Sequence, residues 1–429
     1  MRIAMVSEHA SPLATLGGVD AGGQNVHVAC LARALAARGH EVDIYTRRDN
    51  LDLPERVRLA PRVQVVHVPA GPAQSIPKDA LLEWMPTFGD WLAGAWSGPT
   101  GRRGLRRPDV VHAHFWMSGV AAVRAVQRLE ATAGPAGAIP VVQTFHALGS
   151  VKRRFQGLDD TSPPERIATE RMLAEFVDQV IATCSDEVQE IDRMQAVPKD
   201  VRIVPCGVDL HRFTPTGPRS LPAGRIESGT GTRLLCVGRL VERKGVDTVV
   251  QALAQLPQCQ LVVAGGPAFE DLNTDAEAIR LRALADDLGV GDRVQLIGRV
   301  GHTELPSLLR WADIVVATPW YEPFGIVPLE AMACGRPFIG SAVGGLLDTV
   351  VPGVNGQLVA PRDPQELADG LRAMLADPPK LEAMGRAARQ IMLSGYGWDR
   401  IAEQVVAAYS SVVGTGAGAA ELLMSAEAM

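Results

Sequence analysis

The sequence predicts an α/β protein built from two Rossmann-like, doubly wound parallel-sheet domains that face each other across a cleft. The chain has 429 residues, of which 47% are hydrophobic, and this length is enough for two or three domains. In both halves, short apolar segments alternate with longer segments of helical periodicity. Several short segments are apolar almost throughout, which is typical of strands buried on both faces of a parallel sheet.

The first half begins with a strand and a glycine-rich turn that leads into a helix. This helix, residues 26–37, has apolar positions at helical spacing and is followed by Arg38 and Gly39, a common helix ending. The helices between strands serve as crossovers between parallel strands. The predicted strands of this half are residues 3–6, 42–45, 63–68, 110–112, 141–144, 180–182 and 202–204.

The second half repeats this alternation after a segment rich in Pro, Gly, Ser and Thr, residues 210–233. Its predicted strands are residues 234–237, 260–264, 294–297, 314–317, 337–340 and 356–359. We therefore place an N-terminal domain at residues 1–207 and a C-terminal domain at residues 208–397. Residues 414–429, rich in Gly and Ala, are expected to form a weakly ordered tail.

Composition and charge argue against several classes of protein. A net charge of −6 gives no reason to expect a nucleic-acid partner. The six cysteines are scattered without CxxC spacing, which disfavours a disulfide framework or a zinc site and fits a cytoplasmic location. We find neither a signal peptide nor a segment that could span a membrane. A solvated loop is the simpler interpretation of the basic residues 102, 103, 106 and 107, and weak peripheral membrane contact is the alternative.

The densest cluster of chemically informative residues follows the strand predicted at residues 314–317. Glu322 and Glu330 are separated by seven residues, and Pro323 and Gly325 hold a turn open before a helix. The backbone N–H groups of residues 324–327 would then lie at the N-terminus of that helix. Such a terminus binds anions. A glutamate pair alone would more often lie on a helix surface, but the turn directly after a buried strand favours a site.

A second cluster follows the strand predicted at residues 234–237. Arg239 and Lys244 lie in the loop Gly238-Arg239-Leu240-Val241-Glu242-Arg243-Lys244-Gly245 and could converge on one ligand. Arginine suits bidentate contact with phosphate and lysine supplies a point charge, so the pair fits a diphosphate. Taken alone, two cations in a loop are more often a solvated surface.

Two further features lie at strand ends in the first half. Gly22 and Gly23 precede the first helix without the three spaced glycines of a dinucleotide-binding motif, so close approach to a phosphate or sugar is favoured over a nicotinamide role. His146 ends Thr144-Phe145-His146, where it could hydrogen-bond a sugar hydroxyl. His112 and His114 share one strand face without a third ligand, and we interpret them as structural, with no metal site.

Together these motifs resemble the retaining glycosyltransferases of family 4, which adopt the GT-B fold. The resemblance covers nearly the whole chain, and residues 18–25 are similar to the branch that holds sucrose-phosphate synthases and mycothiol glycosyltransferases. It implies that the last helix, residues 398–413, crosses back to the first domain. It also implies that the donor is a sugar nucleotide acting as co-substrate with no other cofactor, UDP being favoured over GDP and ADP.

The resemblance implies a role for each motif residue. Arg239 and Lys244 would hold the diphosphate, Glu330 the ribose and Glu322 the donor sugar. Gly23 would approach the distal phosphate, with Gly22 beside it among the donor-binding residues, and His146 would contact the transferred sugar near the reacting carbon. The amides expected to hold sugar hydroxyls and phosphate are those of Phe324, Gly325, Ile326 and Val327.

The acceptor pocket matches the branch less well. Lys78 and Thr144 fit the basic-and-hydroxyl pattern that binds inositol phosphate in mycothiol enzymes, and Asn25, Lys152 and Arg154 are further candidates. Phe115 stands where the resemblance implies a tyrosine. A small hydroxylated acceptor is therefore expected, and whether it carries phosphate is left open.

The expected reaction moves a hexosyl group, of glucose or N-acetylglucosamine type, from donor to acceptor with retention of configuration. Without a D-x-D pair to hold a divalent cation, Arg239, Lys244 and the helix N-terminus are expected to stabilise the leaving diphosphate in place of a metal. A sugar-nucleotide epimerase of the same fold and a non-catalytic sugar-nucleotide-binding protein are the alternatives. The oligomeric state is not readable from the sequence, and a dimer is compatible with it.

Overall fold

A computed structural model describes residues 1–14, 22–97, 104–220 and 231–426, with side chains described through residue 414 except at residue 136. The chain divides into two compact units, Met1–Pro205 with Trp398–Met429, and Cys206–Gly397. Residues 18–21 of the glycine-rich turn and the basic residues 102 and 103 lie outside the described part. Within that part, no helix is long and apolar enough to cross a membrane.

The described residues of the first unit form an eight-stranded sheet in the order β3-β4-β2-β1-β5-β6-β7-β8. Its pairs are parallel except for β3 against β4. The strand order reverses between β1 and β5, so the loops that follow these two strands flank the crevice where such sheets bind ligands. The strands are β1 (Arg2–Val6), β2 (Glu41–Arg47), β3 (Arg56–Ala60), β4 (Val63–Val68), β5 (Val110–His114), β6 (Val141–Thr144), β7 (Gln179–Ala182) and β8 (Val201–Ile203).

The helices of the first unit pack on this sheet through apolar side chains. The final helix begins at Trp398 and packs on the first helix, and its Ile401, Val405 and Tyr409 are buried with strand residues. The helices are α1 (Gly23–Ala37), α2 (Met85–Trp96), α3 (Trp116–Ala133), α4 (Gly149–Gln156), α5 (Arg166–Phe176), α6 (Ser185–Arg193) and, after the second unit, α14 (Trp398–Ala426).

The second unit has a six-stranded, fully parallel sheet in the order β11-β10-β9-β12-β13-β14. Numbered from its first strand this is 3-2-1-4-5-6, the usual order of a dinucleotide-binding Rossmann sheet, with the reversal between β9 and β12. Strand β10 is buried at every residue, as a central parallel strand requires. The strands are β9 (Thr232–Val237), β10 (Cys259–Ala264), β11 (Val294–Leu296), β12 (Ile314–Ala317), β13 (Phe338–Ser341) and β14 (Gly356–Val359).

Helices cover both faces of this second sheet, and two separate apolar clusters of buried side chains lie in the unit. The helices are α7 (Val246–Leu253), α8 (Ala276–Asp287), α9 (Leu305–Trp311), α10 (Ile326–Ala333), α11 (Leu346–Thr349), α12 (Pro364–Leu375) and α13 (Pro378–Ile391). The predicted fold class, two Rossmann-like parallel-sheet units, is confirmed.

One strand of the first sheet was not predicted from the sequence. Strand β3 is the antiparallel edge of the first sheet, and it alternates Arg56 and Arg58 with Val57 and Leu59. Its charges suit an edge that must resist pairing with another chain, and they also hide it from a search for continuous apolar runs. Helix α14 extends to Ala426, and weak order of residues 414–429 stays a prediction.

Candidate functional site

Lys244 is fixed by the way its loop joins the end of strand β12. It ends a 3-10 turn, Glu242–Lys244, and Gly245 follows with a φ of +67°. The Thr318 hydroxyl donates to the Gly245 carbonyl over 2.6 Å, and the Trp320 amide donates to the Arg243 carbonyl over 2.9 Å. Hydrogen bonds therefore join the loop after β9 to the loop after β12. These are the two strands between which the strand order of the sheet reverses.

Glu322 completes this structure through an ion pair. Its carboxylate accepts a short hydrogen bond from the Lys244 ammonium, and both side chains are about one-fifth exposed. Burial raises the pKa of Glu322, but Lys244, Arg243 and the Gly325 amide outweigh burial and lower it overall. Lys244 is thus paired with a charged carboxylate, and because both side chains are partly exposed, a diphosphate could take the place of this carboxylate beside the ammonium.

Gly325 starts helix α10 from a left-handed conformation, with a φ of +72°. Pro323 and Phe324 precede it, and Pro328 lies in the first turn, where a missing N–H costs nothing. The amides of Ile326 and Val327 begin the helix, and both residues are partly exposed. The loop that carries Glu322 thus joins the Lys244 ammonium to the start of this helix, and phosphate binding by this group stays a prediction.

Glu330 lies about one helical turn after Ile326 in α10 and is 6% exposed. Burial raises its pKa to about 8, although the charge of Arg212 opposes the shift. Within the described residues, no group donates a hydrogen bond to this carboxylate. A buried carboxyl of this kind favours a ligand that brings hydroxyl donors, such as a ribose.

Arg239 is exposed in the loop after β9, directly after Gly238. The strand ends are packed tightly here, since a Cβ on Gly265 would lie 1.8 Å from the Gly238 carbonyl oxygen. Gly265, which follows β10, and the pair Gly344-Gly345, which follows β13, were not among the predicted site residues. The Gly345 amide donates to the Glu322 carbonyl over 3.0 Å, so these glycines hold the loop that carries Glu322. The position of these glycines directly after buried strands is the feature of the sequence that could have identified them.

In the first unit, Gly22 and Gly23 lie at the start of helix α1. The Gly22 amide donates to the Asn25 side chain over 3.0 Å, and the Asn25 amide group donates to the Ser11 carbonyl over 2.9 Å. A Cβ on Gly22 would contact no described atom within 4 Å. Asn25, predicted to bind the acceptor, is buried and holds the turn.

His146 belongs to a buried cluster of four histidines, with His27, His112 and His114. It has a φ of +63°, and its Nε2 lies 2.9 Å from Nδ1 of His114. Burial lowers the pKa of all four, to about 4 for His27 and about 3 for His112. His146 is therefore neutral at physiological pH and suited to hydrogen bonding rather than to carrying charge.

Thr144, a predicted acceptor contact, is buried and engaged on both sides of its hydroxyl. The hydroxyl donates to the Ile181 carbonyl over 2.9 Å, so it must accept from Nε2 of His112, also 2.9 Å away. Nδ1 of His112 then accepts from the hydroxyl of Tyr409 on α14, at 2.7 Å. This chain of hydrogen bonds joins the last helix to the sheet. Because the Thr144 hydroxyl is buried and already bonded on both sides, Thr144 is not proposed as a ligand contact.

Replacing Tyr409 with phenylalanine is expected to lower the free energy of unfolding by about 1–3 kcal/mol, because it leaves the buried Nδ1 of His112 without its donor. Urea unfolding followed by circular dichroism measures the change. Ser410→Ala, on the same helix but exposed, is the control and should have little effect. Equal stability of Tyr409→Phe and the unmodified chain would contradict the assigned hydrogen bond.

Lys78 and Arg166 both lie close to the ring of Phe115, at 5.3 Å and 5.1 Å from its centroid. Phe115 has a φ of +84° and precedes helix α3. The other predicted basic contacts are paired with acids. Lys152 lies 3.0 Å from Asp160, and Arg154 makes two 2.7 Å hydrogen bonds to Glu190.

His9 and Glu8, which the sequence analysis did not identify, follow strand β1 beside this group. Nδ1 of His9 lies 2.7 Å from a carboxylate oxygen of Glu8, and Glu8 is 1% exposed. The ring of His9 contacts Phe115 at 4.9 Å between centroids. Their position directly after strand β1 is the feature of the sequence that could have identified them as site residues. Among the described residues, no group of three or more His, Cys, Asp or Glu side chains could hold a metal ion.

Known protein families and individual proteins are similar to this chain in sequence. The family described as glycosyl transferases group 1 matches residues 225–391, and glycosyltransferase family 4 matches residues 21–212. A D-inositol 3-phosphate glycosyltransferase of Catenulispora acidiphila is 38% identical, covering 97% of both chains. The chain belongs to the family 4 glycosyltransferases. A Mycobacterium tuberculosis D-inositol 3-phosphate glycosyltransferase is 34% identical, covering 96% of this glycosyltransferase and 84% of the relative.

Among solved structures, a sucrose-phosphate synthase from Thermosynechococcus elongatus is similar to this family 4 glycosyltransferase. It has 32% sequence identity and a TM-score of 0.83, covering 96% of this chain and 99% of that one. The resemblance to the branch of sucrose-phosphate synthases and mycothiol enzymes is confirmed, as is the GT-B fold. The molecule is a glycosyltransferase, which these comparisons support over the epimerase and binding-protein alternatives.

Proposed function

We propose that this glycosyltransferase transfers a hexosyl group, of glucose or N-acetylglucosamine type, from a sugar nucleotide to a small hydroxylated acceptor with retention of configuration. The donor is UDP-linked in preference to GDP- or ADP-linked, by resemblance to the branch. The observation that carries the proposal is the carboxylate of Glu322, which accepts hydrogen bonds from the Lys244 ammonium and from the Gly325 amide at the start of α10. A phosphate group of the donor would bind to the same two hydrogen-bond donors.

Cleavage of the donor separates positive from negative charge, and the groups of the second unit can stabilise the negative charge. Negative charge grows on the leaving diphosphate as the bond to the anomeric carbon breaks. Lys244, Arg239 and the amides of Ile326 and Val327 would stabilise that charge, in the manner of a preorganised oxyanion site. We propose that these groups serve in place of a divalent cation.

On the acceptor side, His146 would hydrogen-bond the transferred sugar as a neutral imidazole. Its buried position and its contact with His114 fix the ring before substrate arrives. We propose front-face attack, in which the leaving phosphate helps to take the acceptor proton. Proton NMR of the product gives its anomeric configuration, and inversion would overturn this mechanism.

A nucleotide-release screen tests the proposed function. Purified protein is incubated with UDP-, GDP- and ADP-linked glucose and with UDP-N-acetylglucosamine, against sugars, polyols and cyclitols with and without phosphate. We expect release of UDP that depends on acceptor and is equal with and without EDTA. Release that vanishes with EDTA would contradict metal independence, and interconversion of the donor without acceptor would indicate an epimerase.

Nucleotide binding should depend on pH through Glu330. Its folded pKa of about 8 exceeds the ordinary 4.5, so its charge opposes folding increasingly as pH rises from 4.5 to 8. Ribose hydroxyls that donate to the carboxylate favour its charged form, so UDP binding should release a proton and strengthen between pH 6 and 8. Calorimetry in buffers of different ionisation enthalpy measures that proton, and Glu330→Gln should remove it. A pH-independent affinity in the unmodified protein would contradict the assignment.

Three predictions from the sequence stay predictions: cytoplasmic location, weak peripheral membrane contact and the oligomeric state. Gel filtration with light scattering decides the last, and flotation with anionic vesicles decides the second.

A further inference from the structure

Two of the cations around Phe115, Lys152 and Arg166, are already paired with buried acids, and this bears on the class of acceptor. We define the Phe115 cluster as the ring of Phe115 with the side chains of Lys78, Asp79, Lys152, Asp160, Ser162, Arg166 and Glu170. It contains Lys78 and Lys152, two residues that the sequence predicted to hold the acceptor. The inference below rests on the proposed function and concerns that same acceptor.

Lys152 is held by two acids and a hydroxyl. Its ammonium lies 3.0 Å from Asp160, 3.8 Å from Asp79 and 3.0 Å from the Ser162 hydroxyl. Asp160 is 3% exposed, so its charge is not screened by water and binds Lys152 firmly. An incoming phosphate would have to compete with this carboxylate for the same ammonium.

Arg166 is engaged through all three nitrogens of its guanidinium group. It donates to Glu170 over 2.7 Å, to the Ser162 hydroxyl over 3.1 Å and to the Ala147 carbonyl over 2.6 Å. Arg166 and Glu170 are both almost fully buried. Arg166 thus positions the segment that follows His146, and breaking its pair with Glu170 would leave a buried charge unpaired.

Two cations of the cluster are bound to buried acids. Lys152 pairs with Asp160 and Arg166 with Glu170, and the exposed Arg153 also lies 3.8 Å from Asp160. Outside the cluster, Arg154 is likewise bound to Glu190 through both of its terminal nitrogens. Phosphate sites depend on cations whose charge is available to the ligand. Here the phenylalanine ring adds no hydroxyl donor.

The polar groups that do face this region suit neutral hydroxyls. Nδ1 of His9 lies 2.7 Å from a carboxylate oxygen of Glu8, and no described residue hydrogen-bonds Nε2 of His9. The His9 ring touches Phe115. A hydroxyl group both donates and accepts, so a polyhydroxyl compound can hydrogen-bond this nitrogen and leave the ion pairs of Lys152 and Arg166 intact.

We propose that the acceptor of this glycosyltransferase is an uncharged polyhydroxyl compound, a sugar, polyol or cyclitol without a phosphate group. This differs from the D-inositol 3-phosphate named for its relatives. The acid partners Asp160 and Glu170 are the specificity-determining residues, because they withhold Lys152 and Arg166 from an anion.

Paired acceptors test the proposal. With a UDP-sugar that the protein uses, kcat/KM is compared for myo-inositol against inositol phosphate and for glucose against glucose 6-phosphate. We expect the unphosphorylated member of a pair to be favoured at least about tenfold. Preference for a phosphorylated member would overturn the proposal. Calorimetry with UDP alone separates the two hypotheses, since failure to bind UDP would count against the proposed function instead.

A binding measurement gives a result even if none of these acceptors is used. Inorganic phosphate is titrated into the UDP-saturated protein, so that the diphosphate position is filled. Asp160→Asn frees Lys152 and should tighten phosphate binding about tenfold, as a new unpaired cation would. Asp79→Asn, at a more exposed acid, is the second variant, and Glu382→Gln, an exposed acid in the other unit, is the control. Phosphate binding by the unmodified protein as tight as that of Asp160→Asn would also overturn the proposal.

Discussion

Replacing Lys244 with alanine is expected to reduce nucleotide release to background, a loss of at least about 10³-fold in kcat/KM for the donor. The change removes the ammonium that faces the predicted diphosphate. It also leaves the carboxylate of Glu322 without its partner, so that a negative charge faces the leaving group. Both effects act on the step in which charge develops, and initial-rate kinetics with saturating acceptor measures them.

Lys380→Ala provides the matched control, because Lys380 is an exposed lysine of the same unit. It should leave the rate unchanged. The fold of Lys244→Ala is checked by its thermal unfolding temperature. Full activity in a folded Lys244→Ala would show that the diphosphate is bound elsewhere.

Replacing Gly245 with alanine is expected to have the second largest effect. An added Cβ would lie 1.9 Å from the Thr318 carbonyl oxygen, a backbone atom that cannot turn aside, and the φ of +67° disfavours any side chain. The Lys244 loop must therefore shift away from β12. We expect a loss of about 1–3 kcal/mol in the free energy of unfolding. Because positioning of Lys244 is lost, we expect UDP affinity to fall about tenfold or more.

The control for this variant is Gly395→Ala in the same unit. An added Cβ there meets no described atom within 4 Å, and the backbone does not have a positive φ. Calorimetric titration of UDP and urea unfolding are measured on both variants. If Gly245→Ala bound UDP as the unmodified chain does, the loop would not depend on the contact with Thr318.

Much of the fold could be predicted because parallel strands buried on both faces are apolar along their length. Runs such as Cys259–Ala264 and Ile314–Ala317 stand out for this reason, and strand β3, with its two arginines, does not. The candidate donor residues could be found as well. They directly follow such strands, and the carboxyl ends of parallel strands meet at one edge of a sheet.

Side-chain partners could not be predicted in the same way. Nothing in the order of residues shows that Lys244 meets Glu322, that Thr144 is engaged by His112, or that Asp160 holds Lys152. The basic residues read from the sequence as phosphate contacts are, in three dimensions, largely paired with acids.

For this protein, the sequence by itself determined the fold class, the glycosyltransferase family and the loops that carry the candidate donor site. Only the tertiary structure decided which charged groups are available to a ligand. The physical reason is that hydrophobic periodicity is a local property of the chain, whereas the state of a charge depends on neighbours far away in sequence. Tyr409 and His112 are 297 residues apart and share a hydrogen bond, and that bond exists only once helix α14 has packed on the sheet of the first unit.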